Sequence, residues 1–244
     1  MTVVHTSRCT VAAWDSAFFG RRIGRFELDR PGVADVEHAV AWAREQALDC
    51  LCALIDADAV ASARALERHG FGLMDVRLTL DRAAAAGEPR ATEIEIGEPR
   101  AEDREGLLAL ARTSHRGTRF TEDPGFGAER AAELYSTWLG NALQEGDALV
   151  LVPRSAGRAG GYLTLHGLHG PVPHIGVLAV ASDLQRRGVG RALVAEGLRR
   201  ATARGASRVS VVTQGGNAAA VRFYERCGFE ARRCQLWYHR WFTP

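Results

Sequence analysis

The chain contains no lysine. All 31 basic residues are arginine, and they face 29 acidic residues, for a formal charge of +2. The missing lysine excludes Schiff-base chemistry and the phosphate-binding lysine of a Walker loop. The near-balance of charge argues against bulk attraction to nucleic acid or to a membrane surface, so neither is expected as a partner. No apolar run approaches the roughly 20 residues that cross a bilayer. The opening MTVVHTSRCTVAAWD has no charged lead followed by an apolar stretch, unlike a secretory leader. Cysteine is scarce and odd in number, at Cys9, Cys50, Cys52, Cys227 and Cys234, with no C-x-x-C pair. That pattern fits neither a disulfide frame nor a zinc knuckle. Cys50 and Cys52 alternate in an apolar run and are expected on one side of a strand. Together these features predict a reduced, cytoplasmic protein. At 46% apolar and 25% charged residues the composition is that of a globular chain.

One stretch breaks the composition. Residues 83–91, rich in alanine and ending near Pro89, read as a linker between an N-terminal half (1–82) and a larger domain (92–244). In the larger part, patterning predicts a strand at 92–96, helices at 101–112 and 128–143, and a loop at 116–127. Strands at 148–153 and 161–168 form a hairpin, followed by strands at 174–180 and 207–213. Helices fall at 188–204 and 217–226, and one or two strands close the chain at 229–241. This is an α/β chain built on a mixed central sheet. The N-terminal half carries a weaker copy at an offset of 158 residues, with Arg68-His69-Gly70-Phe71 lying on Arg226-Cys227-Gly228-Phe229. The copy has Ala59 where the second half has Asn217, and Leu66 where it has Tyr224. The first half is therefore expected to support and the second to react.

The segment richest in chemistry is Leu178-Ala179-Val180 followed by Gln185-Arg186-Arg187-Gly188-Val189-Gly190-Arg191. A buried strand leads into a glycine turn that opens an amphipathic helix. Glycines let backbone N–H groups come close to a ligand, and the free N–H groups and dipole of a helix start attract an anion. With Arg186, Arg187 and Arg191 around it, a pyrophosphate is the expected occupant. The turn is not G-x-G-x-x-G, because Leu193 stands at the last position. Asn217 and Tyr224, seven residues apart, share one face of the helix that follows.

These two segments resemble the GNAT superfamily of N-acetyltransferases. Q-x-x-G-x-G appears as Gln185 to Gly190, and N-x-x-A-x-x-x-Y-x-x-x-G-F appears as Asn217 to Phe229; the likeness runs over 92–240, about 60% of the chain. The resemblance implies a mixed sheet of the GNAT acyltransferase type, preceded by a degenerate half-copy. It implies acetyl-CoA as co-substrate and direct attack by an amine in a ternary complex. Leu178, Ala179 and Val180 match the strand whose backbone pairs with the pantetheine arm. Gln185, Arg186, Arg187, Gly188, Val189, Gly190 and Arg191 match the pyrophosphate loop. Asn217 matches the residue on the CoA arm, and Tyr224 the catalytic residue that protonates the leaving thiolate. No metal is implied; His166, His169 and His174 lack a carboxylate or thiolate to complete a site. His174 is the sequence's best candidate for a base.

The acceptor is less legible. Trp14-Asp15-Ser16-Ala17-Phe18-Phe19-Gly20 resembles a segment of the sugar-nucleotide branch of that superfamily, which acetylates dTDP-linked 4-amino-4,6-dideoxygalactose. Two readings stand for it: Asp15 meets the substrate, or the aromatic rings pin the two halves together. In the loop 116–127, Arg116 and Arg119 are candidates to meet a nucleotide diphosphate, with Phe120 stacking on a base. The alternatives are another small amine, a protein N-terminus, or a CoA-binding module without turnover. The aromatic 237–242 segment either packs on a second subunit, as a homodimer, or closes the sheet.

Overall fold

The computed structural model describes residues 9–84, 94–144, 146, 148–155 and 158–242. Alternating and β-branched runs form the strands, and helical apolar spacing forms the helices. In chain order these are β1 (Cys9–Val11), α1 (Ala13–Phe19), β2 (Ile23–Glu27), α2 (Val33–Glu45), β3 (Cys50–Asp56), α3 (Val60–Arg68), β4 (Gly72–Ala83) and β5 (Glu95–Gly97). There follow α4 (Arg104–Ser114), α5 (Arg119–Glu122), α6 (Ala128–Ala142), β6 (Leu149–Ser155), β7 (Arg158–Ala159), β8 (Gly161–His166) and β9 (His174–Val180). The chain ends with α7 (Val189–Thr202), β10 (Arg208–Gln214), α8 (Ala218–Arg226) and β11 (Glu230–Trp241). The strands lie in one mixed sheet of order β1-β2-β3-β11-β4-β10-β9-β8-β6-β5, with β7 on β6. The expected mixed α/β architecture is what the chain adopts.

The sheet separates two layers. On one face Phe19, Leu107, Phe120, Phe126, Leu134 and Leu139 pack on Cys50, Cys52, Val150, Tyr162 and Val177. On the other face α7 and α8 cover the second half through Leu193, Leu198 and Tyr224. There α2 and α3 cover the first half through Val36, Val40 and Leu66. Each fully buried leucine in these layers contributes roughly 1.5–3 kcal/mol.

The closing part of the repeat recurs in the structure, with β3 falling on β10 at the same offset. At an offset of 158, α3 falls on α8 and β4 on β11, end to end. The two copies exchange strands: β4 of the first half pairs antiparallel with β10, and β11 of the second half with β3. β4 and β11 also pair with each other, with Arg77 opposite Gln235, its own equivalent in the repeat. A pseudo-two-fold axis therefore runs between the halves.

The symmetry fails where it matters. In the first half β2 stays paired with β3 over five residues, from Ile23/Cys50 to Glu27/Leu54. In the second half β9 pairs with β10 only at His174/Ser210 and Ile175/Val211. Beyond Ile175 the two strands diverge, and the sheet opens.

The closing segment, expected as one or two strands, is one, β11. Other expectations change. The segment 116–127 is not a bare loop: it holds α5 and a 3-10 turn at Pro124–Phe126, because Phe120 and Phe126 are drawn into the core. Thr118 and Asp123 cap these turns with their side chains. Two helices and a strand of the first half, α1, α2 and β2, carry weak periodicity and escape the pattern reading. Of the expected linker, Ala83 ends β4, and residues 85–91 lie outside the described residues, as do positions 92 and 93 of the expected strand.

Candidate active site at the strand divergence

The divergence of β9 from β10 opens a cavity of about 300 Å³ through the sheet. From the diverging strands it is lined by Gly176, Val177, Leu178, Val212, Thr213 and Gln214. From α8 come Asn217, Ala220 and Tyr224; β4 and β11 add Asp75, Arg77 and Trp237. The α4–α6 face closes it with His115, Arg116, Arg119, Tyr135 and Trp138, among others.

A bulge starts the opening. Between Leu163/Leu178 and Leu165/Ile175 the register of β8 on β9 slips, so Gly176 and Val177 together oppose Thr164. The buried Thr164 Oγ1 accepts the Val177 N–H at 3.0 Å. Position 176 must be glycine: a Cβ there would lie 2.7 Å from the His166 ring and 2.8 Å from Thr164 Oγ1. Past the bulge, β9 has no ladder partner on its β10 side, so its backbone groups on that side face the cavity.

The glycine turn sits at the far end of β9. Gln185 Nε2 donates to the Val180 carbonyl at 3.0 Å, tying the turn to the strand. Gly188, at φ +83°, is the N-cap of α7 in the left-handed region where a side chain is strained. No side chain caps α7, so the N–H groups of its first turn are free to meet a ligand. Gly190 faces Phe223, whose ring would be 3.2 Å from a Cβ, and this lets α7 lie against α8. Arg186, Arg187 and Arg191 are exposed around the turn, and Arg186 itself has φ +61°. The side chains of Val189 and Ala179 are buried, whereas Leu178 lines the cavity.

Asn217 Oδ1 accepts the Ala220 N–H at 3.0 Å and caps α8, and the residue lines the cavity at the helix start. Tyr224 is 7% exposed and packs on Phe223 and Phe229, at 5.0 and 5.6 Å between centroids. Burial pushes its phenol well above the ordinary tyrosine range, so it stays protonated. Its place in the cavity lining separates it from a core tyrosine. At the matching places in the first half, Ala59 offers α3 no side-chain cap and Leu66 is fully buried.

The histidines sort differently from the sequence reading. His174 and His166 stack on each other at 5.4 Å at an exposed end of the sheet and do not line this cavity. His115, which sequence reasoning passed over, does. Its Nε2 meets the Tyr162 hydroxyl at 2.8 Å, its ring stacks on Tyr135 at 4.2 Å, and burial pushes its pKa down to about 4. It is a neutral imidazole at pH 7. Only its position just before a turn, at the end of an amphipathic helix, hinted at this. Among the described residues no cluster of three or more histidines, cysteines or carboxylates is placed to hold a metal.

The Trp14-to-Gly20 segment is an anchor. Asp15 is 6% exposed and pairs with Arg25 at 2.6 Å; Ser16 Oγ accepts the Ile23 N–H at 2.9 Å. Phe19 stacks on Phe120 at 5.4 Å and meets Phe126 at 4.6 Å, and none of the seven residues lines the cavity. Phe120, the residue expected to stack on a base, lines the cavity and is 6% exposed, with Phe19 against it and the Arg119 guanidinium 3.9 Å from its centroid. Arg119 also lies over Trp237 at 4.2 Å and donates to His239 Nε2 at 3.0 Å, while His239 Nδ1 bonds Asp123 at 2.6 Å. The C-terminal aromatics pack inward on this network: Trp241 Nε1 donates to Asp123 at 3.0 Å.

A mixed sheet that splits between two parallel strands, beside a glycine turn at a helix start, is matched by one family model. The model described as "Acetyltransferase (GNAT) family" matches residues 115–229, from the cavity histidine to the residue before β11. The chain carries a GNAT acetyltransferase domain. It is an enzyme of the acyltransferase class, and its fold is that of the GNAT acetyltransferases. The dTDP-fucosamine acetyltransferase of Escherichia coli O6:H1 (strain CFT073) is 29% identical over 93% of this chain and 95% of its own length. The spore coat polysaccharide biosynthesis protein SpsD of Bacillus subtilis (strain 168) is 30% identical over 60% of this chain and half of its own length. Among solved structures, a functionally unknown conserved protein from Staphylococcus epidermidis ATCC 12228 superposes with a TM-score of 0.69 at 15% identity, covering 98% of this chain and 93% of that one. The chain has, among its described residues, no helix long and apolar enough to cross a membrane.

Proposed function

We propose that the protein transfers the acetyl group of acetyl-CoA to a primary amine of a small molecule, and that this molecule is a nucleotide-linked amino sugar. The observation that carries the reading is the cavity at the split sheet, lined by Tyr224 and Asn217 from α8 and by Arg77, Arg116 and Arg119. The residues present suit acetyl-CoA. The uncapped start of α7 with its exposed arginines fits a diphosphate. The unpaired backbone past Ile175 fits an arm bearing amides. Acetyl-CoA supplies an activated thioester carbonyl. Gln185 to Arg191 hold the diphosphate, Leu178 to Val180 align the arm along β9, and Asn217 steadies it from α8. Alignment of amine and carbonyl supplies much of the rate. Backbone N–H groups past the bulge face the oxyanion as it forms. Tyr224, kept protonated by burial, donates to the leaving thiolate. His115 is neutral and fixed by Tyr162, which makes it a wall of the acceptor side.

The acceptor enters from the α4–α6 face, where three arginines line the cavity against a single carboxylate. That surplus suits an acceptor carrying phosphate as well as an amine. The names of the two curated relatives, a dTDP-fucosamine acetyltransferase and a polysaccharide biosynthesis protein, support the same choice. The protein is read as cytoplasmic, where nucleotide-sugars and acetyl-CoA meet. A thiol-release assay with acetyl-CoA over a panel of amines tests this. Turnover is expected with nucleotide-linked amino sugars and not with the free sugars or peptides; turnover with peptides alone would contradict it.

A further inference from the structure

The attacking amine arrives as an ammonium at neutral pH and must lose a proton before its lone pair can react. Among the described residues lining the cavity, one is a carboxylate: Asp75. It stands on β4, a strand of the N-terminal half, opposite Trp237 and two residues from Arg77, so both side chains share the cavity face of the sheet. Asp75 is half-buried and, although three arginines line the same cavity, has no side-chain hydrogen-bond or ion-pair partner among the described residues. The other carboxylates near this face are committed: Asp15 to Arg25, and Asp123 to His239 and Trp241. The charged and titratable groups around Asp75 are Arg77 on its own strand, Arg119 on α5, His239 on β11, Tyr135, His115 and Arg116 on the α4–α6 face, and Tyr224 on α8. Burial lifts its carboxyl above the ordinary value, against the pull of Arg119, His239 and the Val76 amide.

We infer that Asp75 is the residue that binds the acceptor's ammonium and takes its first proton, so that the N-terminal half supplies a catalytic group to the second half's reaction. This rests on the amine-acetylating reading above. In the step, an N–H bond of the ammonium breaks and the proton passes to Asp75. The freed lone pair forms the N–C bond at the thioester carbonyl. The C–S bond breaks, and sulfur takes a proton from Tyr224. The second amine proton leaves to solvent and Tyr224 recovers one from solvent; Asp75 releases its own before the next turnover. The net products are amide, thiol and one proton. The acceptor class implied is a cationic amine, not an alcohol or a thiol.

The test uses the full chain with the amine that the wild-type protein turns over best. Asp75→Asn is expected to lower kcat/KM for the amine by about 100-fold at pH 7. The acetyl-CoA affinity should stay unchanged by calorimetry. The deficit should narrow as pH rises toward the amine's own pKa, where solvent has already removed the proton. Asp75→Ala should regain rate when formate is added, as a replacement carboxylate. A variant within threefold of wild type, a deficit equal at every pH, or no formate rescue would overturn the role. A wild-type protein that acetylates no amine would instead remove the underlying reading, so the two failures are distinct.

Discussion

Tyr224 joins two properties that seldom coincide: its ring is packed between Phe223 and Phe229, yet it borders a polar cavity. Burial holds the phenol protonated through the physiological range, which suits a donor and not a base. Tyr224→Phe keeps the packing and removes the proton. Acetyl-CoA affinity is expected to stay within twofold by calorimetry, while kcat falls by about 10²–10⁴. An unchanged kcat would take the proton from another source. This residue was legible because it sits seven positions after Asn217 in a patterned segment. Asp75 and His115 were not legible. Each lies in an unremarkable stretch, and only the sheet brings them to the cavity from 149 and 109 residues away in the chain. The aromatic Trp14-to-Gly20 segment shows the converse: a conspicuous motif whose Phe19 ring is spent on the core and whose carboxylate is spent on Arg25.

At the scale of the element, the site depends on a strand that leaves its neighbour. The bulge at Gly176 and Val177 against Thr164 turns β9 away from β10, and the missing Cβ at Gly176 makes room for the His166 ring. Gly176→Ala would push on both His166 and Thr164, releasing the bond from the Val177 N–H. The variant is expected to lose about 1–3 kcal/mol of stability in denaturant titration, as overpacked sites do. It should also lose a larger share of kcat/KM than of acetyl-CoA affinity, because the bulge aims the amides at the reacting carbonyl. A variant with wild-type stability and kcat/KM would show that the bulge does not set the geometry. The strand itself, at 174–180, was readable from its apolar alternation. The bulge was not, because it follows from Thr164 on a neighbouring strand. The 116–127 segment was read as loop for a similar reason: its two short turns exist only because Phe120 and Phe126 find Phe19, from a helix more than a hundred residues earlier.

At the scale of the whole molecule, the 158-residue repeat was visible in the sequence, but the exchange of strands was not. Both β4 and β11 have alternation that suits either neighbour, and the choice is made by which partner completes the sheet. The outcome ties the halves together at their centre: β10 and β11 are not adjacent, and β4 of the first half lies between them. The first half is thus a cover for one sheet face, a strand of the site and the source of Asp75. Its own slot has closed, because β2 never leaves β3 and nothing like Tyr224 stands beside it. The most direct test that one site is built by both halves is the thiol-release activity of the chain divided at residue 91. A fragment of residues 91–244 produced alone is expected to be inactive, and the same fragment co-produced with residues 1–90 to recover acetyl-CoA-dependent turnover. Full activity from residues 91–244 alone would contradict the account.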